Sequence, residues 1–221
     1  MLAKDLISDI VPVVSNSDTG IRALNWMDIF RISHLPIIND DEFVGLISDT
    51  DIYDNNIANE PISAHKLSLF RPFVYEDQHI YDVILLIDTL KLSIVPVLDR
   101  EKKYQGVITL RELVAYFGEM ASVRTPGAII VLEMSIHDYS LTEIANIVEG
   151  NNVKILSSYV RNSKESVKLD VILKLNTQSL NSVLQTFERY NYTIKEFYID
   201  KDNLDNFYEE RYDLFLKYLN V

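Results

Sequence analysis

The sequence predicts an α+β protein with at least two parts, and three observations lead to this prediction. The 221-residue chain is 48% apolar, which supplies side chains for two or three small cores. Residues 1 to about 120 contain one strand–helix–strand–strand–helix pattern twice. Residues 128–200 follow a strand–helix–strand–strand–helix–strand order. We therefore expect two βαββα units packed as a pseudo-symmetric pair, then a βαββαβ unit of the ferredoxin-like kind and a C-terminal helix.

The repeat is clearest at an offset of 60 residues. The segment 33–38 (SHLPII) aligns with 93–98 (SIVPVL), and four of the six prolines occupy matched positions. After one inserted turn residue, 45–51 (GLISDTD) aligns with 106–112 (GVITLRE) at an offset of 61. A strand pair with one helix on either side cannot close a core alone, so we expect the two copies to pack together.

The elements of each copy follow from apolar periodicity and turn residues. In chain order they are short β-prone segments at 11–14 and 71–74, helices at about 18–30 and 78–91, strands at 35–38 and 95–98, second strands at 43–47 and 104–108, and helices that begin near Ser48 and Thr109. Proline has no N–H to donate, so Pro36 and Pro96 predict an edge strand or a strand start.

The second half has its own pattern. Strands are predicted at 128–134, 153–160, 167–175 and 192–199, with helices after Ser140 and over 180–187. An apolar stripe in the last segment predicts an amphipathic helix that packs against a neighbouring domain or subunit. The predicted domains are 1–60, 61–120, a linker at 121–127, 128–200 and the helix 201–221.

Charge and composition exclude several classes of function. The net charge of −12 disfavours nucleic acid and anionic membranes, whereas a small anionic ligand needs only a local arginine and a helix N-terminus. No apolar run approaches the roughly 20 residues that cross a bilayer. The first residues do not resemble a secretory signal, and cysteine is absent, so we expect a cytoplasmic protein.

The repeated motif resembles a tandem pair of CBS domains, called a Bateman module. The residues that carry the resemblance are an apolar-Pro-apolar-apolar strand, a polar turn, and Gly-apolar-apolar-Ser/Thr-x-x-Asp/Glu, present in both copies. The resemblance implies a cleft that binds AMP, ADP, ATP or S-adenosylmethionine as a regulatory ligand, with no required cofactor.

The resemblance also implies which residues contact the ligand. Ser48 and Thr109 would face a phosphate or ribose, and Asp51 would hold ribose hydroxyls. The implied ligand-binding set is His34, Pro36, Ser48, Asp51, Pro96, Thr109, Arg111 and Glu112. The two clefts differ, because His34, Thr50 and Asp51 in the first copy replace Ile94, Arg111 and Glu112 in the second. We expect the first copy's Ser48-x-x-Asp51 to hold a nucleotide.

Structural explanations compete with these roles. Ser/Thr-x-x-Asp/Glu is also a capping box, which stabilises the start of a helix without any ligand. Glu112 departs from the family's usual aspartate, which puts ribose binding in the second cleft in doubt. For His34, the explanation as a partly buried structural histidine is favoured over a contact with a ligand.

The second half resembles an ACT domain, a family that dimerises through its sheet and binds amino acids at the loop after the first strand. That loop, 135–139, contains no glycine here, which makes close backbone approach to a ligand harder. A CBS pair followed by an ACT domain is also the layout of the acetoin-utilisation regulatory proteins.

Nothing in the sequence indicates catalysis or a metal site. The four histidines have no metal-ligand spacing, and neither a P-loop nor a dinucleotide fingerprint is present. Two hypotheses remain, both non-enzymatic. One is a homodimeric regulator that senses an adenosyl ligand and acts on a protein target; the other is a ligand-free homodimeric scaffold that uses its CBS and ACT surfaces.

Overall fold

The computed structural model describes residues 1–64, 71–162 and 167–199. It divides into two compact units, Met1–Ala115 and a second that begins at Tyr116. The C-terminal helix predicted at 201–221 lies outside the described residues. Within the described ranges, no helix has the length and apolarity required to span a membrane.

The first unit contains both copies of the repeat up to Ala115, and the boundary between the units falls within the last helix of the second copy. The first copy comprises α1 (Gly20–Phe30), β1 (His34–Asn39), β2 (Glu42–Ser48) and α2 (Asp49–Asp54). The second copy comprises β3 (Val74–Tyr75), α3 (Ile80–Leu90), β4 (Ile94–Leu98), β5 (Tyr104–Thr109) and α4 (Leu110–Met120). β1–β2 and β4–β5 are antiparallel hairpins with a register shift at the same place, after Ile37 and after Val97.

The first helix of each copy ends in the same way. Arg31 (φ 55°) and Lys91 (φ 54°) adopt the left-handed conformation, and their N–H groups bond back to Asp28 and Ile87, respectively. This conformation closes the last helical turn and redirects the chain into the strand. The two copies therefore match in backbone geometry as well as in sequence.

The predicted first strands are shorter than expected, and proline explains why. Only Val14 pairs with Ile37 in the first copy, and only Val74 and Tyr75 pair with β4 in the second. The Val14 N–H donates to the Pro36 carbonyl, so the Pro36 nitrogen points to the same side. The pair of hydrogen bonds before these would need N–H groups from Pro12 and Pro36. Proline has no N–H, so the pairing stops there.

The position of the second strand proline corrects one expectation. Pro96 lies within β4, which is the middle strand of the sheet β3-β4-β5, rather than at an edge or a strand start. Because β3 has only two residues, it leaves this part of β4 unpaired on one side. A short neighbour therefore accommodates the proline as an edge would.

The chain exchanges segments between the two copies. Residues 1–8 pack on the second copy, where the Ala3 N–H donates to the Gln78 carbonyl at 2.8 Å and Ser8 pairs with Val107. Residues 57–64 occupy the corresponding place on the first copy, where the Ile62 N–H bonds the Asp18 carbonyl at 2.9 Å. The second copy thus includes residues that the sequence boundary of 1–60 places in the first.

The second unit has the predicted βαββαβ order. Its elements are β6 (Ala128–Ser135), α5 (Leu141–Gly150), β7 (Ile155–Asn162), β8 (Lys168–Leu175), α6 (Asn181–Arg189) and β9 (Thr193–Tyr198). The four strands form an antiparallel sheet in the order β7-β8-β6-β9. One face of this sheet joins α5 and α6 in a core in which Phe187 is fully buried.

Candidate functional site

Both hydroxyl–carboxylate pairs predicted from the repeat form reciprocal caps. Ser48 donates from its N–H and its hydroxyl to Asp51 Oδ2 at 2.9 and 2.7 Å, and the Asp51 N–H returns a bond to Ser48 Oγ at 3.0 Å. Thr109 and Glu112 repeat the arrangement at the start of α4, where the Glu112 N–H donates to Thr109 Oγ1 at 3.3 Å. These contacts stabilise the helix starts in the absence of a ligand.

The two caps differ in accessibility. Asp51 is 4% exposed, and Ser48 beside it is 5% exposed. Glu112 is half-buried, and the side chain that precedes it, Arg111, is exposed. Solvent, and hence a solute, reaches the carboxylate of the second copy more readily than that of the first.

A cavity of about 430 Å³ lies at the start of α4. It is lined by three of the predicted residues, Thr109, Arg111 and Glu112. The other lining residues are Ser8, Ile10, Val11, Ile29, Phe30, Arg31, Ile32, Ser93 and Leu110. The cavity therefore combines two arginines, one glutamate, three residues with hydroxyl groups and apolar walls drawn from both copies and from the N-terminal segment.

Sequence reasoning missed two contributors to this cavity. Residues 8–11 reach it through the segment exchange, which no local pattern reveals. Arg31 was detectable, because Lys91 is its counterpart in the second copy and a basic residue recurs where the helix ends. A comparison of the two copies could therefore have identified Arg31 as a candidate site residue from the sequence.

The other predicted residues do not line this cavity. Ser48 and Asp51 belong to the helix cap described above, and Pro36 and Pro96 are buried inside their strands opposite Leu46 and Val107. The proline side chains contribute to packing there. A ligand-binding role for these four residues stays a prediction.

His34 lies where the two copies meet. It is 8% exposed, and its Nδ1 lies 3.0 Å from Ser93 Oγ and accepts the Ser93 N–H at 3.3 Å. Ser33 donates its N–H to the same Ser93 hydroxyl at 3.0 Å. An Nδ1 that accepts a backbone N–H carries no proton, so the ring is neutral with its proton on Nε2. Burial lowers the pKa of His34, an effect that Asp49 and Asp51 partly oppose.

The stability of the first unit should therefore depend on pH through His34. A histidine whose folded pKa lies below its ordinary value of 6.5 stabilises the fold fully above that value, and the contribution is lost as the pH falls toward the folded pKa. We expect the urea-unfolding free energy to decrease between pH 7 and pH 5, with a slope of at most about 1.4 kcal/mol per pH unit for one proton. His34→Asn, which keeps an acceptor for the Ser93 N–H, should remove this part of the slope. The same substitution at the exposed His137 should retain it, and equal slopes in both variants would contradict the assignment.

The second unit has a cavity of its own, of about 530 Å³, beside the loop that follows β6. Asp138 and Glu143 line it together with Tyr192. Burial and a hydrogen bond to Glu143 raise the pKa of Tyr192 to about 12, so the phenol stays protonated. The cavity is thus rich in carboxylates, and its loop has a short 3-10 turn at Ile136–Asp138 in place of glycine.

Comparison with known proteins identifies the family of the first unit. The sequence profile of the CBS domain matches residues 3–56 and 70–119. An inosine-5'-monophosphate dehydrogenase from Methanocaldococcus jannaschii is 24% identical over 74% of this chain, and the chain matches 34% of the length of that enzyme.

Two solved structures are similar over about half of the chain. One is a CBS domain pair/ACT domain protein from Thermotoga maritima, with 23% identity over 54% of this chain and 98% of that protein, and a TM-score of 0.48. The other is a CBS domain pair in complex with 5'-methylthioadenosine and S-adenosylmethionine, with 24% identity over 54% of this chain and 97% of that protein, and a TM-score of 0.45. The assignment depends on the sequence profile, and the repeat in the fold agrees with it: the first half of this chain is a tandem pair of CBS domains.

Proposed function

We propose that this protein is a non-enzymatic cytoplasmic regulator that binds an adenosyl ligand, such as AMP, ADP, ATP or S-adenosylmethionine, in the cavity at the start of α4. The observation that carries the proposal is the lining of that cavity, which brings Thr109, Arg111 and Glu112 together with apolar side chains. Its volume of about 430 Å³ falls in the range of small-molecule sites.

Each part of an adenosyl ligand has a suitable neighbour in this lining. The apolar walls, which include Val11 and Ile32, suit the flat adenine ring. The Glu112 carboxylate can accept hydrogen bonds from the ribose diol, and Arg111 can donate to an anionic group. The site we propose therefore differs from the sequence-based expectation, which placed the nucleotide at Ser48 and Asp51.

A ligand in this cavity would contact three parts of the first unit at once. Ser8 belongs to the N-terminal segment, Ile32 to the first copy and Thr109 to the second. A ligand that binds one arrangement of these parts more tightly than another shifts the population toward it. This differential affinity is the physical basis of the regulatory role we propose, in which a protein target responds to the change.

Thermal unfolding with a panel of ligands tests the proposal. AMP, ADP, ATP, S-adenosylmethionine and adenosine are each added at millimolar concentration, and a ligand at 100 times its Kd should add about 2.7 kcal/mol to stability. We expect at least one to stabilise the wild-type protein, and Glu112→Gln to reduce the shift. If Asp51→Asn removed the shift and Glu112→Gln left it intact, the ligand would lie in the first cleft. No shift with any of the five would refute the sensor function.

One observation favours the alternative, a scaffold that binds no ligand. Both hydroxyl–carboxylate pairs already satisfy each other as helix caps, so neither requires a ligand for its stability. The panel separates the two functions, because a scaffold shows no ligand-dependent shift while it retains its oligomeric state.

We also propose that the protein forms a homodimer, and that the outer face of α3 contributes to the contact. Tyr81 and Leu85 are 62% and 65% exposed on this helix, whereas Asn25 is the polar counterpart of Leu85 in the first copy. Burial of such side chains between subunits is favourable. Leu85→Glu should convert the dimer to a monomer in sedimentation equilibrium, and Asn25→Glu should leave it dimeric. A wild-type monomer would refute the proposal.

For the second unit we propose an ACT-like domain that contributes to assembly. The support is its βαββαβ order and its sheet order β7-β8-β6-β9. Sedimentation of a protein truncated before Ala128 tests this role, since the loss of an assembly domain should weaken self-association.

A further inference from the structure

The two clefts of the CBS pair differ in charge. The cavity at the start of α4 is lined by two cationic residues, Arg31 and Arg111, and by one anionic residue, Glu112. The repeat places Lys91, Thr50 and Asp51 at the corresponding positions of the first cleft, where Asp49 also replaces Leu110 and Arg71 replaces Val11. The cavity at the start of α4 therefore has two cations and one anion, whereas the matched positions of the first cleft have two cations and two anions. An excess of cations in a chain with a net charge of −12 indicates an anionic ligand at this place.

Arg31 is able to turn toward such a ligand. Its side chain is 84% exposed, and its ion pair with Asp28 at 2.9 Å is equally open to solvent. Exposed pairs of this kind contribute little to stability, so the exchange of Asp28 for a phosphate as the partner of Arg31 costs little free energy. The backbone of Arg31 is held at the end of α1 by hydrogen bonds to Asp28 and Met27, which fixes where the side chain begins.

Arg111 approaches from the other copy. It lies in the first turn of α4, is exposed, and pairs with no carboxylate among the described residues. Thr109 and Glu112 flank it, and they hold each other through the helix cap. Two arginines, one from each copy, thus line a single cavity whose lining glutamate, Glu112, is already engaged in a cap.

We propose that this cavity selects a phosphorylated adenine nucleoside over S-adenosylmethionine and adenosine, with Arg31 and Arg111 binding its phosphate. This inference rests on the proposed function and specifies its ligand class. A phosphate monoester carries a charge of about −1.5 to −2 at pH 7, and arginine pairs with it through two parallel hydrogen bonds. S-adenosylmethionine has one carboxylate, but its sulfonium and ammonium groups give it a net positive charge, which two arginines disfavour relative to a phosphate monoester.

Isothermal titration calorimetry with the full chain tests this selectivity. AMP, adenosine and S-adenosylmethionine are titrated into the wild-type protein and into Arg31→Ala, Arg111→Ala and Lys91→Ala. We expect AMP to bind the wild type at least about 10-fold more tightly than the other two, since a charged hydrogen bond is lost in each comparison. Each of the first two substitutions should weaken AMP about 10-fold or more and leave adenosine unchanged. Lys91→Ala, at the matched position of the other cleft, should leave AMP unchanged.

Salt provides a second measurement that does not depend on a variant. Raising NaCl from 50 to 500 mM should weaken AMP binding and leave adenosine binding nearly constant, because screening acts on the phosphate contacts alone. If adenosine or S-adenosylmethionine bound the wild type as tightly as AMP, the inference would be wrong while the sensor function stood. If Lys91→Ala weakened AMP and both arginine variants did not, the phosphate would lie in the other cleft. The absence of binding by all three ligands would refute the sensor function and the inference together.

Discussion

Replacement of Gly106 by alanine should lower the unfolding free energy of the first unit by about 2–5 kcal/mol, the sum of overpacking and backbone strain. Gly106 has φ of +140°, a conformation that side chains rarely adopt. A Cβ here would lie 2.5 Å from Ile7 Cγ2 and 3.0 Å from the Ser8 carbonyl oxygen. Glycine at this position thus lets the N-terminal segment pair with β5.

The same substitution should also impair ligand binding. Ser8 and Val11 line the proposed site, and they reach it only because the segment before them packs on the second copy. Urea unfolding gives the stability change, and hydrogen exchange at residues 3–8 reports the release of the segment.

Gly118→Ala is the matched control, because nothing lies within 4 Å of a Cβ at that position in α4. Alanine should stabilise this helix by about 0.5–1 kcal/mol. Unchanged protection of residues 3–8 in Gly106→Ala would show that the close approach is not needed.

Phe187→Ala should destabilise the second unit by about 3–5 kcal/mol, the usual cost of removing a buried aromatic side chain. Phe187 is fully buried between the sheet and the two helices, and its ring lies edge-on to Tyr192 with 5.4 Å between centroids. The lost apolar contacts and the cavity left by the ring both lower the free energy of unfolding.

The measurement is chemical denaturation combined with hydrogen exchange of β6 and β8, whose amides lie next to this core. Tyr190→Ala offers a control of similar size, since Tyr190 is 53% exposed and should change stability by less than about 1 kcal/mol. A loss of similar size in the two variants would mean that the core is not organised around Phe187.

Sequence patterns predicted the elements well because local constraints place them. The prolines and the apolar runs recur at matched positions of the two copies, and each has a local cause: a missing N–H or a buried strand. The cap at Ser48 and the cap at Thr109 are further examples, since a hydroxyl and a carboxylate three residues apart meet at a helix start wherever the helix lies.

The candidate site was harder to predict, because it depends on contacts distant in sequence. The motif alone favoured Ser48 and Asp51, yet Asp51 is 4% exposed in the fold, while Glu112 borders an open cavity. Burial of a particular carboxylate depends on what packs over it, and periodicity says nothing about that. Arg31 was visible as a repeated basic residue, but its place beside Arg111 follows only from how the copies meet.

By itself, the sequence of this protein determined that a CBS-type unit occurs twice, that a βαββαβ unit follows, and that the two copies are not equivalent in charge. These properties reside in residue identity and spacing, which act locally. Only the tertiary structure decided that residues 1–8 complete the second copy, and that the accessible cavity joins Arg31 to Arg111. The placement of residues 1–8 and the lining of the cavity depend on backbone pairing and packing between segments that are far apart in the chain. The free energy of such contacts depends on the whole fold and not on local sequence.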